Sequence, residues 1–382
     1  MKTDFLIVGS GFYGSVMAER ISAVLKKKVI IIDKRNHIGG NCYSEVDKKT
    51  NIEFHKYGTH IFHTSNIKVW NYINHFTKFN NYRHQVLTLH KNKIYQMPIN
   101  LETINSYFKT NFKPRDAQKF LEKITKNKKK INSKNFEEKA ISQIGERLYK
   151  AFIKNYTIKQ WGLNPKKLPA SIFNRLPLRF SYNEDYFNNS NYQGIPLDGY
   201  TNVFNNLLKN KKITKLINCD YFKIKDKIKV KYFTIYTGPI DQYFNYKLGI
   251  LDWRSVKFKK KYVETNDYQG NSVINYPDLK FKFTRIHEPK HLHPERKYSH
   301  NKSLIIKEYS YQDHKNPYYP INNEKNKRLI IEYKKLAKKE KNIIFGGRLA
   351  DYAYYDMDMT ISAALVKFEQ IRKKLKNFNQ NV

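Results

Sequence analysis

The stretch FLIVGSGFYG, residues 5–14, decides the fold, because an apolar run leads straight into a glycine-rich turn. A segment with apolar residues at helical spacing follows it, and a second apolar run, residues 29–32, ends in the acidic Asp33. A strand, a glycine-rich turn, a helix and a second strand that ends in an acid are typical of the βαβ unit that binds dinucleotides. The sequence therefore predicts a Rossmann-like domain at this end of the chain.

The three glycines of this turn have different tasks. Gly9 permits the tight turn, Gly11 lets the backbone approach a pyrophosphate, and Gly14 lets the helix pack closely on the strand. The N-terminus of the helix offers free N–H groups and its dipole to the phosphates. Asp33 can accept hydrogen bonds from ribose hydroxyls, so we expect all four residues to bind the dinucleotide.

The next segment, KRNHIGGN at residues 34–41, favours FAD over NAD. It places a basic residue, Lys34, just past the acid, and then the pair Gly39 and Gly40 followed by Asn41. Many flavoproteins of this fold have such residues close to the cofactor phosphates. An ordinary glycine turn is the alternative interpretation of the pair.

Residues 57–63 contain two histidines three positions apart, His60 and His63. A histidine pair can bind a metal, but the sequence offers no third ligand at a suitable spacing. We therefore predict no metal site and expect both histidines to be structural or to face the cofactor.

The composition is strongly basic. The 382 residues include 72 Lys+Arg and 33 Asp+Glu, which gives a formal net charge of +39. Such a charge can indicate a protein that binds nucleic acid or a membrane surface. Most of the basic residues, however, are lysines scattered along the chain, whereas proteins that recognise bases favour arginine. We interpret the charge as a solvated basic surface and predict no specific nucleic-acid partner.

The sequence favours a cytoplasmic protein without a membrane span. No apolar run approaches the roughly 20 residues that a helix needs to cross a bilayer. The apolar residues 5–8 lead into a glycine turn instead of a signal-peptide cleavage site. Cys42 and Cys219 are too few for a disulfide framework.

Changes of pattern along the chain predict the domain organisation. An apolar run, a glycine pair and an arginine, IIFGGR at residues 343–348, suit a second contact to the flavin before the final helix. The predicted fold class is α/β, with a Rossmann-like FAD-binding domain, an inserted helical domain and an antiparallel β-sheet domain. The predicted segments are 1–80, the first part of the FAD-binding domain; 81–180, a mainly helical substrate or lid domain with a mobile-loop candidate near 165–180; 181–330, the antiparallel sheet domain with further FAD-domain segments near 194–245; and 331–382, the last part of the FAD-binding domain.

Distinctive motifs run from one end of the chain almost to the other. In order, they are GSGFYG, KRNHIGGN, HKYGTHIFHT, YTIKQWG, RLPLRF, YQGIPLDGYT, YTGPIDQYF, YQGNSVINY, TRIHE, PYYPIN and FGGRLADYAYYDMD. Together they resemble the UDP-galactopyranose mutase family, and several are peculiar to it. The resemblance is therefore much more specific than the glycine-rich turn alone.

The resemblance implies FAD as the cofactor, active when reduced, and implies roles for individual residues. His60 matches the loop beside the flavin ring, and Arg348 should lie next to the flavin. Arg175, Arg285, His63 and Asp356 match residues of the catalytic centre. The residues that match the substrate site are Tyr156, Trp161, Arg175, Tyr186, Asn275, Arg285, Tyr319 and Tyr354.

The pair Arg175 and Arg285 matches the two arginines with which the family grips the UDP diphosphate. A guanidinium suits a diphosphate because it can bond two oxygens at a fixed geometry. A surface salt bridge is the alternative role for either arginine alone. His84 departs from the pattern, since some relatives have asparagine at this place near the nucleotide.

The implied reaction interconverts UDP-galactopyranose and UDP-galactofuranose through a bond between the sugar and N5 of reduced flavin, and supplies furanose for glycan synthesis. The implied partners are UDP-galactose or a related UDP-sugar, an electron donor such as NAD(P)H or a reductase, and a second copy of the chain in a homodimer. Two alternatives remain open at this point. One is another FAD-dependent enzyme of the same superfamily, such as an amine oxidase, and the other is a basic nucleic-acid-binding protein.

Overall fold

The N-terminal stretch folds into the βαβ unit that the sequence predicts. The computed structural model of the chain describes residues 1–125, 133–175, 177–187, 190–298 and 301–380, without the side chains of residues 174, 175 and 377–380. Strand β1 (Lys2–Val8) leads through the glycine turn into helix α1 (Phe12–Val24), and β2 (Val29–Ile32) pairs with β1 in parallel. Gly9 has a φ of +99°, and a Cβ on Gly14 would lie 2.0 Å from the Gly9 carbonyl oxygen. Both positions therefore require glycine.

The other strands are short except in the middle of the chain. They are β3 (Ser44–Val46), β4 (Glu53–His55), β5 (Phe62–Thr64), β6 (Val86–His90), β7 (Lys93–Met97), β8 (Tyr192–Gly194), β9 (Ile213–Leu216), β10 (Lys229–Tyr236), β11 (Trp253–Val263), β12 (Val273–Asn275), β13 (Arg285–His287), β14 (Ser303–Gln312), β15 (Tyr319–Pro320) and β16 (Ile343–Phe345).

Helices fill most of the remaining chain. They are α2 (Ile67–Asn74), α3 (Leu101–Phe108), α4 (Pro114–Thr125), α5 (Phe136–Leu148), α6 (Lys154–Trp161), α7 (Gly199–Leu207), α8 (Tyr221–Ile224), α9 (Ile240–Tyr243), α10 (Glu324–Lys339) and α11 (Met357–Gln380). A short π-helix, Tyr149–Ile153, joins α5 to α6, and 3-10 helices form at Gly40–Cys42, Pro165–Lys167, Ala170–Arg175, Lys225–Lys227 and Pro289–Leu292. Among the described residues, none of these helices combines the length and apolar character that a membrane crossing requires.

A five-stranded parallel sheet is assembled from distant parts of the chain, in the order β16-β10-β1-β2-β9. Helices α1 and α11 pack together over it, and Ile7, Val16, Ile235, Ile361 and Phe368 belong to the same buried core. The hydrophobic effect thus joins both ends of the chain in one Rossmann-like layer.

A second sheet of seven strands has the order β15-β11-β14-β13-β12-β6-β7. Its pairs are antiparallel except for β6 and β12, which pair in parallel. Strands β6 and β7 fall within 81–180, the range predicted to be mainly helical, and the pairing of β6 with β12 puts both in this sheet instead. Helices α3 to α6 and the π-helix pack against this sheet in a second core, in which Leu121, Ile144, Leu148 and Phe152 are buried. The domain limits themselves stay a prediction.

Candidate active site

The two sheets meet at one large cavity of about 560 Å³. The parallel sheet contributes residues at the carboxyl ends of its strands, such as Val8 and Tyr236, where α/β proteins bind their ligands. The seven-stranded sheet contributes side chains from one face, including Phe258 and Glu308.

The cavity brings together the residues that the sequence singles out. The backbone of Arg175 belongs to the turn Ala170–Arg175, but its side chain lies outside the described part of the structure. The other predicted site residues that line the cavity are Gly9, Gly11, Gly14, Asp33, Lys34, Gly39, Gly40, Asn41, His60, His63, Tyr156, Trp161, Tyr186, Asn275, Arg285, Tyr319, Arg348, Tyr354 and Asp356.

The glycine loops form one wall of the cavity. The Gly39 amide donates to the Ser10 carbonyl at 3.0 Å, which ties the second glycine loop to the first. A Cβ on Gly40 would lie 3.1 Å from the Cα of Gly11, so the two loops face each other as bare backbone. Asp33 is buried at the end of β2, and both the amide and the hydroxyl of Ser10 donate to its Oδ2, at 2.9 and 2.7 Å. This wall can receive a dinucleotide whose phosphates approach main-chain atoms closely.

Two guanidinium groups at this wall retain bonding capacity. Among the described residues, Nη1 of Arg35 and Nε of Arg348 are buried without a hydrogen-bond partner. Arg35 also bonds Asn41 Oδ1 at 2.9 Å and stacks on the ring of Tyr57, 4.2 Å away. Buried cationic donors without partners fit an anionic group such as a cofactor diphosphate. Lys34, the basic residue predicted to bind the cofactor, has an exposed side chain, whereas Arg35, the next residue of the same KRN motif, was not predicted and has the buried donor.

Burial favours the neutral form of both histidines of the next loop, because it lowers the pKa of each. His60 Nδ1 donates to the Gly58 carbonyl at 2.6 Å, and burial lowers the pKa of His60 to about 4. His63 Nδ1 bonds Ser190 Oγ at 3.0 Å, and its ring stacks on Phe187. Burial also lowers the pKa of His63, although Asp356 opposes the shift.

The opposite wall carries a buried chain of polar contacts that the sequence analysis did not predict. Thr59 Oγ1 contacts His287 Nδ1 at 2.7 Å, and His287 Nε2 contacts Glu308 Oε2 at 3.0 Å. Glu308 Oε1 lies 3.5 Å from Arg285 Nε, and Arg285 Nη2 donates to the Tyr156 hydroxyl. Burial would raise the pKa of Glu308, but Arg285 and His287 lower it to about 2. The ionised carboxylate thus connects the loop of Thr59 with the arginine.

Aromatic rings complete this part of the cavity. Tyr319 and Tyr354 stack with ring centroids 5.6 Å apart, and the Arg348 guanidinium lies 5.3 Å from the Tyr354 ring. Tyr186 meets His84 edge to face at 5.4 Å. His84 is buried, and burial, with the nearby Arg285, lowers its pKa to about 3.

The fold and the glycine-lined cavity together define a Rossmann-like protein with a dinucleotide-binding site. Residues 7–76 match the family model described as an NAD(P)-binding Rossmann-like domain, and residues 151–354 match the model described as UDP-galactopyranose mutase. The crystal structure of a reduced UDP-galactopyranose mutase has the same fold, with a TM-score of 0.73, 14% sequence identity and coverage of 97% of this chain and 96% of that one.

Curated relatives are similar over almost the whole chain. A dTDP-fucopyranose mutase of Escherichia coli is 42% identical, with coverage of 94% of this chain and 96% of the relative. A probable UDP-galactopyranose mutase of Klebsiella pneumoniae is 39% identical, with coverage of 98% and 96%. The chain belongs to the UDP-galactopyranose mutase family. It is therefore a mutase, and neither the amine-oxidase-like nor the nucleic-acid-binding alternative is favoured.

Proposed function

We propose that the chain interconverts UDP-galactopyranose and UDP-galactofuranose, supplies furanose for glycan synthesis, and uses FAD bound in the cavity. The observation that carries the proposal is that one cavity has a bare glycine wall on one side and Arg285 with several tyrosines on the other. A flavin and a diphosphate sugar can therefore meet in one cavity.

The first wall fits FAD. Gly9, Gly11 and Gly14 would hold the pyrophosphate, Asp33 the ribose, and Arg35 and Arg348 the anionic and electron-rich parts of the cofactor, beside the loop with Gly39, Gly40, Asn41 and His60. When bound and reduced, flavin supplies a nucleophilic nitrogen without net consumption of electrons. The structure supports the cofactor site through the unpartnered nitrogens of Arg35 and Arg348.

The second wall would hold the nucleotide sugar. Arg285 would bond the diphosphate, together with Arg175, and keep the departing UDP in place so that it can return to the sugar. Tyr186, Tyr319 and Tyr354 would surround the diphosphate, Tyr156 and Trp161 the uridine and sugar, and Asn275 a further part of the substrate. Neutral His63 can donate or accept a hydrogen bond without adding charge, while Asp356 would lie beside the reacting sugar.

A second candidate substrate is dTDP-fucose, because the 42% identical relative is named as a dTDP-fucopyranose mutase. Thymidine differs from uridine by a ring methyl group and by the missing 2′-hydroxyl, and fucose lacks the 6-hydroxyl of galactose. Buried polar groups that bind such a hydroxyl discriminate strongly against the analogue that lacks it.

A paired assay separates the two candidates. Reduced protein is incubated with UDP-galactofuranose and with dTDP-fucofuranose in separate reactions, and kcat/KM for formation of each pyranose is measured by chromatography. We expect the higher kcat/KM with UDP-galactofuranose, and a preference for dTDP-fucofuranose would support the second candidate.

We also propose a cytoplasmic location, a homodimer and an electron donor such as NAD(P)H or a reductase.

A further inference from the structure

A lysine beside the proposed substrate site binds a cluster of main-chain carbonyl groups. Lys159 belongs to helix α6 but does not line the cavity. Its Nζ donates to the carbonyl oxygens of Tyr276, Asp278, Phe281 and Phe283, the last three at 3.1, 3.1 and 2.9 Å. One ammonium group thus binds four main-chain carbonyl groups of a single loop.

This loop, residues 276–284, connects the two strands that carry substrate-site residues. Asn275 is the last residue of β12, and Arg285 is the first residue of β13. The two residues are directly opposite each other in the antiparallel register. The position of the loop relative to α6 therefore affects where both side chains enter the cavity.

Helix α6 is itself held in a defined position. Arg254 Nε donates to the Gln160 carbonyl at 2.9 Å, and Nη2 donates to the Lys159 carbonyl at 3.3 Å, so a second cation binds the C-terminal end of the helix. One turn before Lys159 in the same helix, the Tyr156 hydroxyl accepts a hydrogen bond from Arg285. The contact between Tyr156 and Arg285 thus depends on two elements that Lys159 joins.

We propose that Lys159 is a positioning residue that fixes the β12–β13 hairpin against α6, and thereby sets Arg285 and Asn275 for the diphosphate sugar. The inference rests on the proposed function of the cavity. A neutral side chain of similar length would leave the four carbonyl oxygens without their shared donor, and the hairpin would move away from the helix.

The protonation state of Lys159 provides a second way to test its role. Burial lowers the pKa of Lys159 to about 8, although Asp278 opposes the shift. The charged or titratable groups near it include Asp278 and Tyr276 of the loop, His90 of β6 with Nδ1 3.4 Å from Asp278 Oδ1, and Arg254 of β11. The loop also carries the cations Lys280 and Lys282. Loss of a proton leaves Lys159 with two N–H donors and no charge for four carbonyl oxygens. The contact between Lys159 and the loop therefore weakens as the pH rises above about 8.

The first test compares Lys159→Met with Lys282→Met, which removes the same charge from an exposed position of the same loop. UDP binding is measured by calorimetry at pH 7, and FAD content by absorbance. We expect Lys159→Met to raise the Kd for UDP about 10- to 100-fold, because the groups that bind UDP would be misplaced. The FAD content of Lys159→Met should stay normal, and Lys282→Met should bind UDP with the Kd of the parent. Equal Kd values for the two variants would overturn the proposal. A parent protein that binds no UDP would instead refute the proposed function.

The second test uses Lys159→Arg, which keeps its charge at every pH of interest and serves if the methionine variant does not fold. In the parent, the Kd for UDP should rise as the pH increases through about 8. In Lys159→Arg this rise should be absent. Persistence of the same rise in Lys159→Arg would assign the titration to another group and contradict the role of Lys159.

Discussion

Replacement of Arg285 by alanine is the most direct perturbation of the proposed diphosphate site. In the structure, Nη2 donates to Tyr156 and Nε lies 3.5 Å from Glu308, too far for a good hydrogen bond. The guanidinium therefore has donors left for a phosphate. A hydrogen bond to a charged group contributes about 1.5–3 kcal/mol, which corresponds to about 10- to 150-fold in affinity.

We expect Arg285→Ala to weaken UDP binding and to lower kcat/KM about 10- to 150-fold, while the FAD content stays normal. Arg285→Lys should lose less than the alanine variant, because a lysine keeps the charge but not the planar fork. Arg372→Ala is the matched control, since Arg372 forms only an exposed ion pair with Glu369 on α11, among the described residues.

The assay is calorimetric titration with UDP together with steady-state turnover. The side chain of Glu308 is only 4% exposed, so removal of Arg285 also leaves a buried carboxylate with one cation fewer. Thermal unfolding of each variant therefore has to accompany the binding data. If Arg285→Ala binds UDP and turns over like Arg372→Ala, the assignment of Arg285 to the diphosphate is wrong.

Two further predictions concern charge. The pKa of Glu308 in the folded protein, about 2, is below its ordinary value of 4.5. Ionisation of Glu308 therefore stabilises the folded state by about 3 kcal/mol above pH 4.5. This contribution is lost as the pH falls from 4.5 through 2. Urea unfolding should show a steep loss of stability across this window in the parent and a shallower one in Glu308→Gln, and identical slopes would contradict the ionised carboxylate. Neutralising the exposed lysines Lys257, Lys259 and Lys261 should leave turnover intact, because exposed charges act through a salt-screened field. Titration with single- and double-stranded oligonucleotides at physiological salt should show only weak, sequence-independent binding, and tight, selective binding would refute this interpretation of the charge.

The parts of the fold that follow local rules could be predicted from the sequence. The turn at Gly9 needs a left-handed backbone and the close approach at Gly14 needs a missing side chain, so both leave a readable pattern. The predictions of a Rossmann-like sheet and of an antiparallel sheet are also confirmed. Buried strands form short apolar or alternating runs, which can be recognised in a sequence.

Contacts between distant segments could not be predicted in this way. The parallel pairing of β6 with β12 joins Thr88 to Asn275, and no local pattern marks such a partner. Glu308 and His287 meet only because β13 lies beside β14. The run FKFTRI, residues 281–286, alternates apolar and polar residues as a strand does, but β13 begins only at Arg285, and the carbonyls of Phe281 and Phe283 accept hydrogen bonds from Lys159.

A turnover experiment with defined flavin oxidation states tests directly whether the chain is a mutase that depends on reduced flavin. Purified protein, either oxidised or reduced with dithionite under anaerobic conditions, is incubated with UDP-galactofuranose, and UDP-galactopyranose is quantified together with the flavin spectrum. We expect many turnovers by the reduced protein, with the flavin still reduced at the end, and little product from the oxidised protein. Equal turnover in both states, or one electron pair consumed for each sugar converted, would contradict it.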